Sequence, residues 1–420
     1  MKLKFYGWIS LAGAMLVYFS GAGTVLYAFG IFVPSMGAEF GWGRSAIAMG
    51  ATIFVVLTGI FSPVAGICIS KYGIRKNIIF GNLIVVLGLL GMSIASSTWQ
   101  IYLFYGVMAG VGSSFGLFLS TVTVANNWFH ERRTLAISLV LAAGGLGGLV
   151  FSPFIAWLIT NVGLQMSWRL LAGIHFVLAV GIAGILIRNK PEDLGQIPDG
   201  KTAKRGQSAS LNQASSNLVY QTQIDWKVKD ALKTRSLWLI LLFSTASIFS
   251  LSILTIHQVA YLQGIGFSPM LAATSMGLVI GSSIVGRLLI GALGGRFQVR
   301  YLAAICVFGF AIGMILLVNI EKLPFSFIYL YAGLVGVCYG GILVCPPTLF
   351  GAYFGRANYS KIIGCIVPIS TLVGASGGLI AGAIYDRTGS YISALTIAVA
   401  FLVLGILAAI LARPPIPANR

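Results

Sequence analysis

Charged side chains are scarce in this sequence, and acidic ones are the scarcest. Only 9% of the 420 residues are charged, with 9 Asp and Glu against 27 Lys and Arg. A soluble domain carries about 25% charged residues, so this composition excludes an ordinary water-facing surface. A lipid-facing surface is compatible with it, because hydrocarbon replaces water as the solvent around the chain.

Clusters of catalytic or metal-binding residues are missing as well. The five cysteines lie in or beside apolar runs, without metal-ligand spacing and without a pair of loop positions that suggests a disulfide. The glycine groups lack the Lys-Ser/Thr pair and the preceding strand of a phosphate-binding loop. We predict no metal, no cofactor and no enzymatic activity.

Twelve apolar runs are long enough to cross a bilayer, which requires about 20 residues each. They are continuously apolar rather than alternating, which favours helices over barrel strands. We therefore predict an all-α integral membrane protein with twelve transmembrane helices. The runs lie near residues 8–33, 46–69, 77–96, 100–125, 134–160, 169–188, 237–262, 268–293, 301–320, 324–350, 361–384 and 390–412.

The distribution of Lys and Arg predicts the orientation. With the N-terminus in the cytoplasm, the inner segments hold 22 of the 27 cations, as the positive-inside rule requires. This asymmetry explains the net charge of +18 without a nucleic-acid partner. We expect a monomeric, multi-pass protein of the cell (inner) membrane, with both termini cytoplasmic. The outer loops hold only Arg44, Arg169, Lys322 and Arg387.

One long polar stretch divides the spans into six and six. It predicts an N-terminal six-helix bundle over 1–188, a cytoplasmic linker over 189–236 and a C-terminal six-helix bundle over 237–420. The linker shows no recognisable partner motif, so we interpret it as a tether. A membrane sensor remains a rival interpretation, because a long loop would also suit one.

The two halves share a loop pattern, G-x-x-x-x-[KR]-[YF]-x-x-[KR]. It resembles the signature loop of the major facilitator superfamily, whose acidic position is here Ser70 in the first copy and Gly295 in the second. The resemblance implies two six-helix bundles with inverted repeats that rock during alternating access. It assigns a role in conformational change to Gly66, Lys71, Gly73, Arg75 and Lys76 in the first copy, and to Arg296 and Arg300 in the second.

Further motifs are similar to the monocarboxylate-transporter and oxalate/formate-antiporter branch of that superfamily. They are Trp128-Phe129-x-x-Arg132-Arg133, Gly286-Arg287, Cys338-Tyr339-Gly340 and Tyr385-Asp386. They add Arg132, Arg133 and Asp386 to the conformational loop residues. The resemblance implies secondary active transport of small organic monocarboxylates such as lactate or pyruvate. An organic anion exchanger of the oxalate/formate type is the alternative.

A single cation, Arg287, lies inside a predicted span. It precedes Arg296 by nine residues, which is about 13 Å of helix, near the middle of a hydrocarbon core about 30 Å thick. All nine acidic residues fall in loops or at span ends, so its partner is either backbone and water or an anionic substrate. Because a guanidinium fork fits a carboxylate, we predict that Arg287 binds the substrate in a central cavity between the halves.

The number of cations and the path of the proton bear on substrate and coupling. Oxalate-type relatives carry a lysine in the eleventh span, where this chain has Ile363-Gly364-Cys365-Ile366. Arg287 is then the single cation within the spans, which favours a substrate with a single carboxylate. Animal monocarboxylate members use a first-span Lys and an eighth-span Asp in proton coupling, where this chain has Ile31 and Ser283. A proton relay like that of the animal members is therefore not supported. We expect proton coupling, with His257, a water path or the acid itself left open as the carrier.

Other polar or aromatic residues inside the spans are candidates for contact with the substrate, although packing is an alternative role for each. We interpret His175 as a hydrogen-bonded core residue. Drug pumps that extrude cations need buried acidic residues, which disfavours a multidrug carrier; a sugar carrier stays as a weaker rival. The candidates beside Arg287 are Tyr339, Tyr331, His257, Ser120, Phe118, Tyr27 and Ser370.

Overall fold

Helices make up the regular structure of this protein. The computed structural model describes residues 5–200, 219–222 and 224–416, apart from the side chains of Arg44 and Ser45, and no strand occurs within them. Eleven helices of this part are long and apolar enough to cross a membrane, and a pair bent by 47° forms a twelfth span. Counted in this way, the twelve predicted spans are confirmed. In chain order, spans 1 to 12 are Gly7–Phe40, Ala46–Ile60 with Ser62–Tyr72, Ile74–Met92, Thr98–Trp128, Arg133–Val162, Leu164–Leu186, Arg235–Gly264, Pro269–Leu293, Val299–Val318, Phe327–Phe354, Tyr359–Thr388 and Ile392–Leu411.

The spans belong to two compact units. The first unit contains the described residues up to 200 together with Asn358–Pro368, which opens span 11. The second contains the described residues from 219 to Ala357 and from Ile369 onward. The middle of the predicted linker lies outside the described residues, as do the predicted inner cations Lys2, Lys4, Lys201, Lys204, Arg205 and Arg420.

Three spans of the first unit contain π-helical stretches, at Ala22–Leu26, Tyr102–Ala109 and Phe176–Ile182. Span 4 is also interrupted at Leu117, where the backbone adopts φ −102° and ψ −108°. An interruption frees backbone carbonyls, and hydrocarbon offers them no water as a hydrogen-bond donor.

Two asparagines of span 3 supply the donors for this interruption. The Nδ2 atom of Asn77 donates to the carbonyl of Phe115 over 2.7 Å, and that of Asn82 donates to Gly116 over 3.3 Å. Both amides are buried. They therefore stabilise the broken form of span 4 beside Phe118 and Ser120.

His175 lies in the same network and is fully buried. Its Nδ1 atom is 3.2 Å from Thr24 Oγ1 and its Nε2 atom is 3.0 Å from Asn82 Oδ1. The interpretation of His175 as a hydrogen-bonded core residue is confirmed.

The described ends of the linker each cap a loop with an aspartate. In the first unit, Asp199 Oδ2 accepts hydrogen bonds from the backbone N–H groups of His130 and Glu131, at 2.9 and 2.8 Å. In the second unit, Asp225 Oδ1 accepts from the N–H groups of Arg356 and Ala357, at 2.8 and 2.9 Å. These loops precede spans 5 and 11, and a carboxylate at a helix N-terminus is favoured by the helix dipole.

Replacing Asp199 with Ala should loosen the loop before span 5. The substitution leaves the N–H groups of His130 and Glu131, in the loop before the helix, without their carboxylate acceptor, which typically lowers the free energy of unfolding by about 1–2 kcal/mol. Thermal unfolding and proteolysis within residues 129–132 measure the effect. Asp193→Ala removes the same charge from an exposed 3₁₀ turn and serves as the control; equal cleavage rates in both variants would contradict the capping role.

Candidate functional site

Arg287 lies on the buried face of span 8. Its neighbours on that face follow helical spacing, with Val279, Ser283 and Gly286 also buried, and Arg287 is only 4% exposed. The helix ends at Leu293, six residues after Arg287, so about 9 Å of helix separates the arginine from the helix end. This is less than the 13 Å expected from the position of Arg296, because the chain leaves the helix before that residue.

Small residues bring the backbones of spans 8 and 10 into direct contact. A Cβ atom on Gly286 would collide with the carbonyl of Val337, and one on Gly340 would collide with the carbonyl of Ser283. Close approach of this kind depends on residues without side chains. The contact places the turn of span 10 that carries Tyr339 beside the turn of span 8 that carries Arg287.

Two tyrosines of span 10 differ in exposure. Tyr339 is half-buried, whereas Tyr331 is completely buried and its hydroxyl has no hydrogen-bond partner among the described residues. A buried hydroxyl without a partner is costly. Ser370 on span 11 is 9% exposed and belongs to the same unit.

His257 on span 7 is half-buried and connects two neighbouring elements of the second unit. Its Nε2 atom lies 2.8 Å from the carbonyl oxygen of Gly378 on span 11. Because a carbonyl accepts, Nε2 must carry the hydrogen, and Nδ1 is then the nitrogen that can take up a proton. The ring also packs against Tyr391, with 5.0 Å between centroids.

In the first unit, the three candidates take different positions. Ser120 is fully buried and its hydroxyl donates to the carbonyl of Phe115, so it belongs to the interruption of span 4. Phe118 is half-buried, 6.4 Å from the ring of Tyr18. Tyr27 is half-buried at the end of a π-helical stretch, and its ring would meet a Cβ atom on Gly148.

The first copy of the loop motif is tied to the end of span 6. Gly73 has φ +90°, a conformation suited to glycine. Asn189 accepts from the backbone N–H of Arg75 over 2.9 Å, and Arg75 Nε donates to the carbonyl of Gly184 over 2.6 Å. Gly66 packs so closely on Ser360 that a Cβ atom would meet the Ser360 carbonyl.

The second copy makes different contacts. Arg300 donates to Gln298 and to the Tyr301 hydroxyl, at 2.9 and 2.8 Å, both within its own turn. Arg296 is exposed. The sequence repeat is therefore not matched by equivalent hydrogen bonds of the second basic residue in the described part of the chain.

The remaining loop residues also differ in burial. Lys71, Lys76, Arg132 and Asp386 are exposed. Arg133 is 3% exposed.

Sequence reasoning missed several residues that position these elements. Asp199 belongs to a Pro-Asp-Gly sequence, a recognisable turn signal, but its role as a cap depends on a loop about 70 residues earlier in the chain. Asn77 and Asn82 are amides within an apolar run, which marks them as candidates for interhelical hydrogen bonds.

Known proteins resemble this chain along most of its length. Residues 11–356 match the sequence profile described as "Major Facilitator Superfamily". "Monocarboxylate transporter 13" of Bos taurus is 25% identical over 405 residues, covering 95% of this chain and 88% of that protein. "MFS-type transporter pynF" of Aspergillus niger is 26% identical over 387 residues, covering 90% and 81%.

Solved structures agree in fold at low sequence identity. The outward conformation of FucP superimposes with a TM-score of 0.74 at 14% identity, covering 98% of this chain and all (100%) of that one. The proton:xylose symporter XylE, bound to a halogenated glucose, gives a TM-score of 0.71 at 15% identity and covers 97% and 95%.

Proposed function

The chain belongs to the Major Facilitator Superfamily, and on that premise we propose that it transports small organic monocarboxylates such as lactate or pyruvate. Uptake of the monocarboxylate would be coupled to uptake of protons. The predicted family and fold are confirmed, and a membrane transporter follows from them. The substrate class and the coupling are our proposal, and the similarity to relatives such as "Monocarboxylate transporter 13" supports the substrate class.

The observation that carries the proposal is the buried position of Arg287. A charge inside a span costs at least about 2.5 kcal/mol on insertion scales, so it requires compensation. Each of the nine acidic residues lies in a loop, in a short helix or within the last turn of a span. A guanidinium buried within a span can offer a carboxylate two parallel N–H donors and a full charge, which supports an anionic substrate.

Uptake of radiolabelled L-lactate into proteoliposomes tests the proposal. We expect saturable uptake that accelerates when the outside is more acidic than the inside, and inhibition by pyruvate. Protein-free liposomes correct for passage of the undissociated acid. Uptake that requires an organic acid inside the vesicles and does not respond to the proton gradient would instead indicate an exchanger. No uptake of any monocarboxylate would refute the proposed substrate class.

The distribution of basic residues supports an orientation with both termini in the cytoplasm, which we propose together with a plasma-membrane location. We propose this orientation for a monomer. Labelling of a single cysteine introduced at Lys322 from either side of a sealed membrane tests the orientation, since that position is expected outside.

Replacing His257 with Gln should abolish the acceleration of uptake by a proton gradient. Glutamine can still donate to the Gly378 carbonyl, but it lacks the second ring nitrogen that could carry a proton. The gradient effect should fall from several-fold to none, while exchange of lactate at equal pH on both sides continues. The measurement is initial uptake across a range of outside pH values.

Gln258→Leu, at the next residue of span 7, is the control. It removes a buried polar group without removing a titratable one. An unchanged gradient effect in His257→Gln would exclude His257 as the carrier. It would leave lactate transport itself intact, so the two hypotheses fail separately.

A further inference from the structure

A basic cavity lies at the junction of spans 7 and 12, in the second unit. Its volume is about 850 Å³, and its lining includes Lys227, Lys233, Arg235 and Arg413. Arg235 opens span 7, and span 12 ends at Leu411, two residues before Arg413. The cavity therefore lies at the level where both helices leave the apolar part of the bilayer.

Positive charge dominates this cavity. Four basic residues line it against two acidic ones, Asp225 and Asp230. Asp225 already accepts hydrogen bonds from two backbone N–H groups of the loop before span 11. The four cations are exposed, so their charged ends are available to an anion.

The cavity is also fixed in shape on both sides. The hydroxyl of Ser236 donates to the carbonyl of Arg413, which holds the chain after span 12 against the start of span 7. Trp226 forms a buried wall and packs on Phe354, with 5.8 Å between ring centroids. The segments that carry the basic side chains of the cavity are thus held by contacts within the second unit.

Apolar side chains border the same cavity. Leu411 is 51% exposed and Ile416 is 83% exposed, and both line it. Nearby Trp238 is exposed and its indole donates to the carbonyl of Leu232 over 2.8 Å, an arrangement typical of the interface between hydrocarbon and headgroups. Cations beside exposed apolar groups match an amphiphile better than a free inorganic anion.

We propose that this cavity binds the headgroup of an anionic phospholipid. Lys233, Arg235 and Arg413 contact the phosphate, and the acyl chains lie along Leu411 and the exposed Trp238 of span 7. Basic pockets at the ends of membrane helices commonly bind anionic headgroups. The site is separate from Arg287, which does not line this cavity.

Calorimetric titration of the full-length protein in detergent tests the proposal. The probe is dioctanoyl phosphatidylglycerol, with dioctanoyl phosphatidylcholine as the zwitterionic comparison. We expect the dissociation constant of phosphatidylglycerol to rise about 30-fold in the double variant Arg235→Gln, Arg413→Gln. The variant Lys322→Gln, Arg387→Gln removes the same charge elsewhere and should bind like the wild type.

Arg235→Lys with Arg413→Lys keeps the charge and should bind within a few-fold of the wild type, which separates charge from a loss of folding. Equal affinity for both lipids, or an unaffected Gln variant, would overturn the proposal. Inorganic phosphate is titrated in a parallel arm. Binding of phosphate as tight as that of the lipid would overturn the assignment to a lipid headgroup.

Discussion

Replacing Arg287 with Gln should lower the initial rate of lactate uptake about 100-fold, with the protein still folded and inserted. The guanidinium is buried on span 8, where two parallel N–H donors and a full charge can hold a carboxylate. Glutamine fits a similar volume but supplies neither the charge nor the fork. Counterflow of radiolabelled lactate in proteoliposomes measures the loss.

Two further variants separate the effect of charge and shape at position 287 from the general loss of a cation. Arg287→Lys retains the charge without the planar fork and should recover part of the rate, leaving a deficit of about tenfold. Lys322→Gln removes a cation from the short 3₁₀ turn after span 9 and should transport normally. Wild-type uptake by Arg287→Gln would show that the substrate carboxylate binds elsewhere.

Replacing Gly340 with Ala should destabilise the second unit severely. The added methyl group would overlap the carbonyl and the Cα atom of Ser283, which belong to a helix backbone and cannot move aside as a flexible side chain would. Overpacking typically costs up to about 3 kcal/mol in the free energy of unfolding. Because spans 8 and 10 would separate, Arg287 would also shift, and transport should fall with stability.

Gly333 on the same helix provides a matched control. A Cβ atom there meets nothing within 4 Å, and alanine is the better helix former by up to about 1 kcal/mol. Gly333→Ala should therefore melt at or above the wild-type temperature in a thermal unfolding assay. Equal melting temperatures for both alanine variants would contradict the backbone contact between spans 8 and 10.

Hydropathy predicted the spans well because each one must satisfy its backbone within a single helix. The bend of span 2 was harder to predict from the sequence. Its second half begins with Ser62-Pro63, and a proline at the start of a helix is compatible with either a continuation or a new direction. The interruption at Leu117 depends on Asn77 and Asn82 from another helix, so local sequence could not reveal it.

The candidate site was predictable in part, for a physical reason that differs between residues. Arg287 stands out because a lone charge in an apolar run has few structural explanations. Ser120 was also a candidate for contact with the substrate, yet its hydroxyl donates to a carbonyl that the interruption of span 4 exposes. A hydroxyl within a span gives no sign of whether its partner is a ligand or its own backbone.

The two aspartate caps do not depend on an intact chain between them. Asp199 and its loop belong to one unit, and Asp225 and its loop belong to the other. A polypeptide cleaved between residues 200 and 219 would keep both caps intact, since neither cap uses a group from the opposite fragment. Each fragment carries the means to order its own helix start, which makes this segment the natural place for scission, insertion of a reporter domain, or production as two complementing chains.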